Sequence, residues 1–165
     1  MGYRAGNAPV ASGSALYQTI GNTPMATKPK KQKTVAKLRE EAAVLLQKLV
    51  RMKAADVDGI AQCVTCGKKQ HFKDMDGGHF ISRKYTATKL IEENVHPQCK
   101  GCNQYASGRH DDYSLYMVDT YGIEMVRELN DKKRELCKQN RIELEDIKVE
   151  LKLRIAEQAV RLGEK

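Results

Sequence analysis

No stretch of this sequence approaches the roughly 20 consecutive apolar residues that cross a bilayer, and its mean hydropathy is −0.60. Nor is there a lipidation motif, so a membrane partner is not expected. Nothing at the start has the charged, apolar, small-residue order of a secretory signal, which leads us to expect an intracellular protein. No segment repeats at a fixed period. Acidic residues are in deficit: 21 Asp and Glu stand against 29 Lys and Arg, for a formal charge of +8. With a pI near 9.2, the expected partner is a polyanion, nucleic acid before membrane. At 165 residues the chain is expected to form one domain with appendages and to bury only a modest core.

Cysteine is scarce, five in all, yet four of the five fall in two short-spaced pairs, Cys63 with Cys66 and Cys99 with Cys102. In a reducing compartment such pairs are better explained as metal ligands than as disulfides. Four thiolates close a tetrahedron around zinc and leave no open position for water, so this Zn²⁺ is expected to be structural. The 32 residues between the pairs exceed what a simple zinc ribbon needs and must form a folded insert. A redox or fortuitous set of thiols is the competing explanation. Cys137 is left over, as a free thiol expected on a helix.

Composition divides the chain. Residues 1–27 are rich in Gly, Ala, Ser, Thr and Asn, with Pro9 and Pro24, and read as a flexible leader. Residues 28–56 read as a basic amphipathic helix: Lys28, Lys30, Lys31 and Lys33 lead into Val35, Leu38, Ala42, Leu45, Leu46, Leu49 and Met52 at spacings of three and four. Asp58-Gly59 is turn chemistry and should end it. Residues 57–110 change character, with glycines, Phe72, Phe80 and Tyr85. Two short strands are expected there, one near residues 60–64 or 72–75 and one near 79–82, then a helix from about Cys102. Residues 111–165 are helical again. Leu115, Val118, Ile123, Val126 and Leu129 mark one stretch or two around Gly122; Leu144, Ile147, Leu151 and Ile155 mark another, with Glu150–Arg154 and Glu157–Arg161 as favourable i,i+4 pairs. The fold class expected is therefore α+β, mostly α by residue count.

Hydrolysis of a phosphodiester needs a base to activate water, a cation to neutralise developing charge, and ligands to seat that cation. His79 suits the first task, because its ordinary pKa near 6.5 allows proton transfer at neutral pH. Asp76 or Asp74 offers carboxylate oxygen to Mg²⁺ or Mn²⁺, and Asn103 offers an amide oxygen. Gly77 and Gly78 would let the backbone turn tightly beside a phosphate. Each residue also has a plain explanation: a structural histidine, an Asp-Gly-Gly turn, a helix-capping asparagine.

Taken together, Cys63 and Cys66, the run Gly78-His79-Phe80-Ile81 with Arg83, then Asn94, His96, Gln98, Cys99, Cys102 and Asn103, and Ser107-Gly108 resemble the HNH nucleases, specifically the phage recombination endonucleases of the lambda NinG (Rap) type. The resemblance runs over residues 51–129. It implies a small zinc-stapled ββα-metal (HNH, or His-Me finger) core flanked by long α-helices. In that core His79 matches the general base and Asn94 the residue that orients the loop and the base. Asn103 matches a ligand to the catalytic divalent ion. Many HNH proteins carry Asp directly before the base, where this chain has Gly78; Asp76 is the carboxylate chosen instead, with Asp74 or the His96 imidazole as substitutes. On a regular strand Asp76 would face away from His79, so a turn at the two glycines is expected to bring them together. Arg83 is a candidate bidentate phosphate clamp, and Lys30, Lys31, Lys33, Lys37, Lys84 and Lys100, with Lys89 and Tyr85, are candidate DNA contacts.

The activity implied is metal-dependent endonucleolytic cleavage of DNA, on branched recombination intermediates such as Holliday junctions and D-loops, in the cytoplasm of a bacterial host if the chain is phage-encoded. The end helices allow a homodimer as readily as they allow a cover for the finger. Two other readings stand beside it: an HNH nuclease of restriction, homing or packaging type acting on linear duplex, and a non-catalytic zinc-finger module that binds nucleic acid.

Overall fold

The computed structural model describes residues 1–2 and 32–164. Nearly all of the expected leader, and with it Lys28, Lys30 and Lys31, lies outside the described residues. Helix α1 (Val35–Lys53) opens at Thr34, whose side chain accepts a hydrogen bond from the Lys37 amide at 3.2 Å. That bond satisfies one of the N–H groups a helix start leaves without a partner. Leu38, Ala42, Leu46, Leu49 and Met52 are buried as their spacing predicts, whereas Val35 at the helix start is 37% exposed. After α1 the chain turns on Asp56, whose carboxylate accepts from the Asp58 and Ile60 amides at 3.0 and 2.9 Å, and on Gly59, at φ 76°.

Four short strands follow, where two were expected. Strands β1 (Ile60–Gln62) and β2 (Lys69–His71) form one antiparallel hairpin around the first cysteine pair. Strands β3 (Met75–His79) and β4 (Val95–Cys99) form a second, with Asp76 opposite Gln98, Gly78 opposite His96 and His79 opposite Val95. The Val64 amide donates to the Pro97 carbonyl at 3.1 Å and ties the two hairpins together. Strand β4 escaped the sequence because all five of its residues are buried, which erases the in-and-out alternation of a half-buried strand, and because Pro97 argues against a strand.

The helix expected from Cys102 is a single wide π turn over Gly101–Tyr105. Helix α2 (His110–Lys132) begins only after Ser107, Gly108 and Arg109, which all have positive φ, at 50°, 85° and 46°. Within α2, Gly122 sits at φ 81°, ψ 164° and kinks the helix. The apolar period read through that point therefore loses phase. Tyr113, Met117 and Leu129 are buried, but Leu115, Val118 and Ile123 are 66%, 38% and 46% exposed. Helix α3 (Arg141–Arg161) starts with a capping box between Asn140 and Glu143 and buries Leu144, Leu151 and Ile155 as expected. Cys137 lies in the connection between α2 and α3 rather than on a helix.

Helices α1 and α3 pack on each other and share one core with β3 and β4. The Lys148 ammonium bridges Glu41 and Glu145 at 2.9 and 3.0 Å, and Arg154 joins Glu150 at 3.5 Å. Arg161 does not pair with Glu157; its guanidinium donates instead to the Met52 and Ala55 carbonyls at the end of α1. A second apolar cluster, Phe80, Ile81, Tyr113, Met117 and Leu129, seats α2 behind the loop that follows β3. The described part is thus mixed, long helices around small sheets. No described helix is long and apolar enough to cross a membrane.

Candidate functional site

The two hairpins bring the cysteine pairs together. Cys63 leaves β1, Cys99 ends β4, Cys66 and Cys102 follow each on a turn, and the four sulfurs lie within 4.8 Å of one another. None is in a disulfide. Cys66 and Cys99 are 3.8 Å apart, and four sulfurs bound to zinc at about 2.3 Å stand about 3.8 Å apart in a tetrahedron. Ionisation points the same way. Although burial opposes it, hydrogen bonds from the Thr65 hydroxyl and the surrounding amides lower the Cys63 pKa. Cys66 is driven up: the Lys68 amide favours its thiolate, but burial and the neighbouring thiols outweigh it. A cluster that resists a second negative charge is one that a cation completes. Donor type, count and spacing fit a closed zinc site.

Beside this cluster a cleft of about 500 Å³ is bordered by Gln47 from α1, Asp76 and His79 from β3, Ser82 and Arg83 beyond it, Asn103 and Gln104 from the π turn, and His110 from α2. The His79 ring is mostly buried, and its Nε2 stands 3.2 Å from the Lys89 carbonyl oxygen. A carbonyl only accepts, so Nε2 carries the proton and Nδ1 keeps the lone pair. The pKa is lowered, first by burial and then by the Arg83 and Lys89 cations; the Lys89 carbonyl and Glu40 act in the opposite sense. At neutral pH the imidazole is uncharged and able to take a proton.

Asn94 is fully buried and fixes the loop that carries that carbonyl. Its amide oxygen accepts from the Ile81 N–H at 2.6 Å, and its amide nitrogen donates to the Ile81 and Thr88 carbonyls, both at 3.0 Å. Thr88 directly precedes Lys89, so Asn94 reaches His79 through one peptide. On the far side of the cleft the Asp76 Oδ2 accepts from Asn103 Nδ2 at 2.9 Å and from Gln104 Nε2 at 2.7 Å. That leaves the Asn103 amide oxygen and the second Asp76 oxygen for a hard cation, a donor set that suits Mg²⁺ or Mn²⁺.

A family model described as Bacteriophage Lambda NinG protein matches residues 22–160. The chain belongs to the NinG family. Among curated NinG relatives, Protein ninG of Salmonella phage P22 is 32% identical over 74 residues, which cover 44% of this chain and 36% of that protein. Protein ninG of Escherichia phage 933W and that of Enterobacteria phage VT2-Sa are each 31% identical over 68 residues, 41% of this chain and 33% of theirs. The chain thus matches about a third of the length of these NinG relatives. No solved structure matches. The NinG match takes in every described element, from α1 to nearly the end of α3.

Several expectations for this NinG chain meet a different arrangement. His96 is not a cleft residue. It is buried on the other side of the hairpin, where Nδ1 meets the Tyr113 hydroxyl at 3.0 Å and Nε2 meets that of Tyr121 at 2.9 Å. Tyr113 spends its own proton on the Gly78 carbonyl at 2.9 Å, so His96 Nδ1 must donate and Nε2 accept. With both nitrogens engaged and burial pushing its pKa down to about 4, His96 has no lone pair to offer a metal. Asp74 is exposed on a 3-10 turn outside the cleft.

The glycines make no turn either. Strand β3 stays in register through both, and Asp76 and His79 still border one cleft. A Cβ on Gly77 would meet the Gln47 Cβ at 2.7 Å, and one on Gly78 would meet the Gln98 Oε1 at 2.0 Å. They are glycines because α1 and Gln98 pack directly on the strand.

Of the candidate contacts, Arg83 borders the cleft and has no hydrogen-bond or ion-pair partner among the described residues. Lys89 is buried and paired with Glu40, and Lys33 pairs with Glu41 at 2.6 Å. Lys37 and Lys100 are exposed, and Lys84 lies over the Tyr85 ring at 5.0 Å. Gln47, Gln104, His110 and Tyr113 were not singled out from the sequence; only Gln104, adjacent to Asn103, carried a signal there.

Proposed function

We propose that this chain is a divalent-metal-dependent endodeoxyribonuclease built on an HNH ββα-metal finger, acting on branched DNA such as four-way junctions and D-loops during phage recombination. The observation that carries the reading is the His79 imidazole, with Nε2 on the Lys89 carbonyl and Nδ1 free, in one cleft with Asp76, Asn103 and the unpaired Arg83. Strands β3 and β4, followed by the π turn and α2, supply the two strands and helix of such a finger. His79 Nδ1 removes a proton from water as the oxygen attacks phosphorus in line. The Lys89 carbonyl stabilises the imidazolium that forms, and Asn94 holds that carbonyl in place. Arg83 presents its guanidinium to a nonbridging phosphate oxygen. Asp76 and Asn103 would hold Mg²⁺ or Mn²⁺, which neutralises charge on the leaving 3′ oxygen when bound. Products carry 5′ phosphate and 3′ hydroxyl.

Affinity on this reading comes from phosphate contacts with little base reading. Cutting opposed strands of a junction calls for two active sites, hence a pair of copies. The test is parallel digestion of a linear duplex and a synthetic four-way junction with Mg²⁺, with and without EDTA. Cleavage of the junction that EDTA abolishes is the expected result. Preferential cleavage of the linear duplex would replace it with the restriction, homing or packaging type, and binding without any cleavage would reduce the chain to a zinc-finger binding module.

A further inference from the structure

A second imidazole borders the cleft, and nothing above uses it. His110 is the first residue of α2 and faces the same space as His79, Asp76 and Asn103. Its ring leans on Phe80, with centroids 5.6 Å apart at 49°. Phe80 directly follows His79, so the end of β3 positions both histidines, one as part of the strand and the other through an aromatic contact. The backbone behind His110 is pinned as well, because the buried Gln98 amide donates to the Gly108 carbonyl at 2.9 Å.

His110 differs from the other three histidines in what its ring nitrogens do. The His71 Nδ1 accepts from the Lys73 amide at 3.3 Å, His79 gives Nε2 to Lys89, and His96 commits both nitrogens to tyrosines. Neither nitrogen of His110 has a partner among the described residues, and the side chain is exposed to solvent. Its ring is thus open both to solvent and to the cleft, with both nitrogens free to form hydrogen bonds there.

We propose that His110 is a second catalytic residue, the acid that protonates the departing 3′ oxygen. The inference rests on the nuclease reading and adds its other half. In an in-line displacement the entering water and the leaving oxygen lie on opposite sides of phosphorus. His79 has one free nitrogen, so it serves the water side only. As the water O–P bond forms, the water proton passes to His79 Nδ1; as the P–O3′ bond breaks, its electron pair stays on oxygen and takes the proton from the His110 imidazolium. No oxidant or further reactant is needed, and solvent returns both imidazoles to their starting forms.

The experiment compares the parent chain, His110→Ala and His110→Gln on a four-way junction whose mapped scissile linkage is either ordinary or carries sulfur in place of the bridging 3′ oxygen, with Mg²⁺ throughout. A thiolate leaves without being protonated. Both variants are expected to lose about 10²- to 10⁴-fold on the ordinary linkage and to match the parent on the sulfur linkage. Equal slowing on both linkages would reduce His110 to a positioning contact and overturn the proposal, as would variants that cut the ordinary linkage at the parent rate. If His110→Ala melts below the parent, His110→Gln decides. A parent chain that cuts neither linkage takes the nuclease reading down with it, whereas a cutting parent with unaffected variants removes the His110 role alone.

Discussion

The imidazole of His79 is both mostly buried and beside two cations, and these effects reinforce each other in favouring its neutral form. A base works while neutral. Lowering pH should therefore cost no activity until it has passed below the ordinary 6.5, and the fall of about tenfold per unit should begin only below the lowered pKa. His79→Ala should lose about 10²- to 10⁴-fold in rate together with that acid limb, while junction binding measured in EDTA stays at the parent level. An acid limb centred above 6.5 would contradict the neutral buried base.

Asn94→Ala tests the link between loop and base. Three hydrogen bonds at roughly 1 kcal/mol each should be lost in melting experiments, and cleavage should slow with the loop that carries the Lys89 carbonyl. Normal stability with normal cleavage would remove Asn94 from the scheme. His79, Asn94 and Asn103 could be singled out because their order along the chain resembles the HNH nucleases, although each taken alone has a plain explanation. His110 could not, because an imidazole at the start of a helix signifies nothing until the fold brings it against Phe80.

Strand β3 shows what the sequence revealed of local structure and what it concealed. Asp-Gly-Gly reads as a turn by composition, yet the segment is a paired strand whose glycines exist for lack of a side chain. A Cβ at Gly77 would stand 2.8 Å from the Gln47 backbone Cα, which no rotamer change relieves. Gly77→Ala is thus expected to cost about 1 to 3 kcal/mol through overpacking, and to push α1, with Gln47, away from the cleft edge. Thermal melting checks the first effect and the cleavage rate the second; an unchanged melting temperature would mean that α1 does not press on the strand. The amphipathic helices α1 and α3 were legible because one unbroken period runs along each buried face. The buried face of α2 was not, since Gly122 resets the helical phase midway, and β4 was not, since burial on both faces leaves no alternation to read.

Across the described chain fewer cations are free to meet phosphate than composition suggests, because Lys33, Lys89 and Lys148 are tied to glutamates on α1. Of the candidate DNA contacts, Arg83, Lys37, Lys84 and Lys100 have no ion pair among the described residues. If these four each neutralise one phosphate, the logarithm of affinity should fall with that of salt at a slope of about −3.6, that is 4 × 0.9, and Lys100→Ala should lessen it by about 0.9. Filter binding at several salt concentrations reads this directly, and a salt-independent affinity would refute phosphate-led binding.

The sulfur cluster is placed to keep the cleft assembled, since Cys99 and Cys102 frame the end of β4 and the start of the π turn that carries Asn103. Structural zinc stabilises by binding only the folded arrangement, so its binding free energy is largely folding free energy. Elemental analysis of the purified chain should find one zinc per molecule, retained through gel filtration. Strong chelation or Cys99→Ser should melt β4 and the π turn and abolish cleavage and junction binding together, whereas His79→Ala removes cleavage alone. That contrast separates the two roles: a metal-stripped chain that melts at the parent temperature and still binds junctions would show that the four thiols hold nothing together.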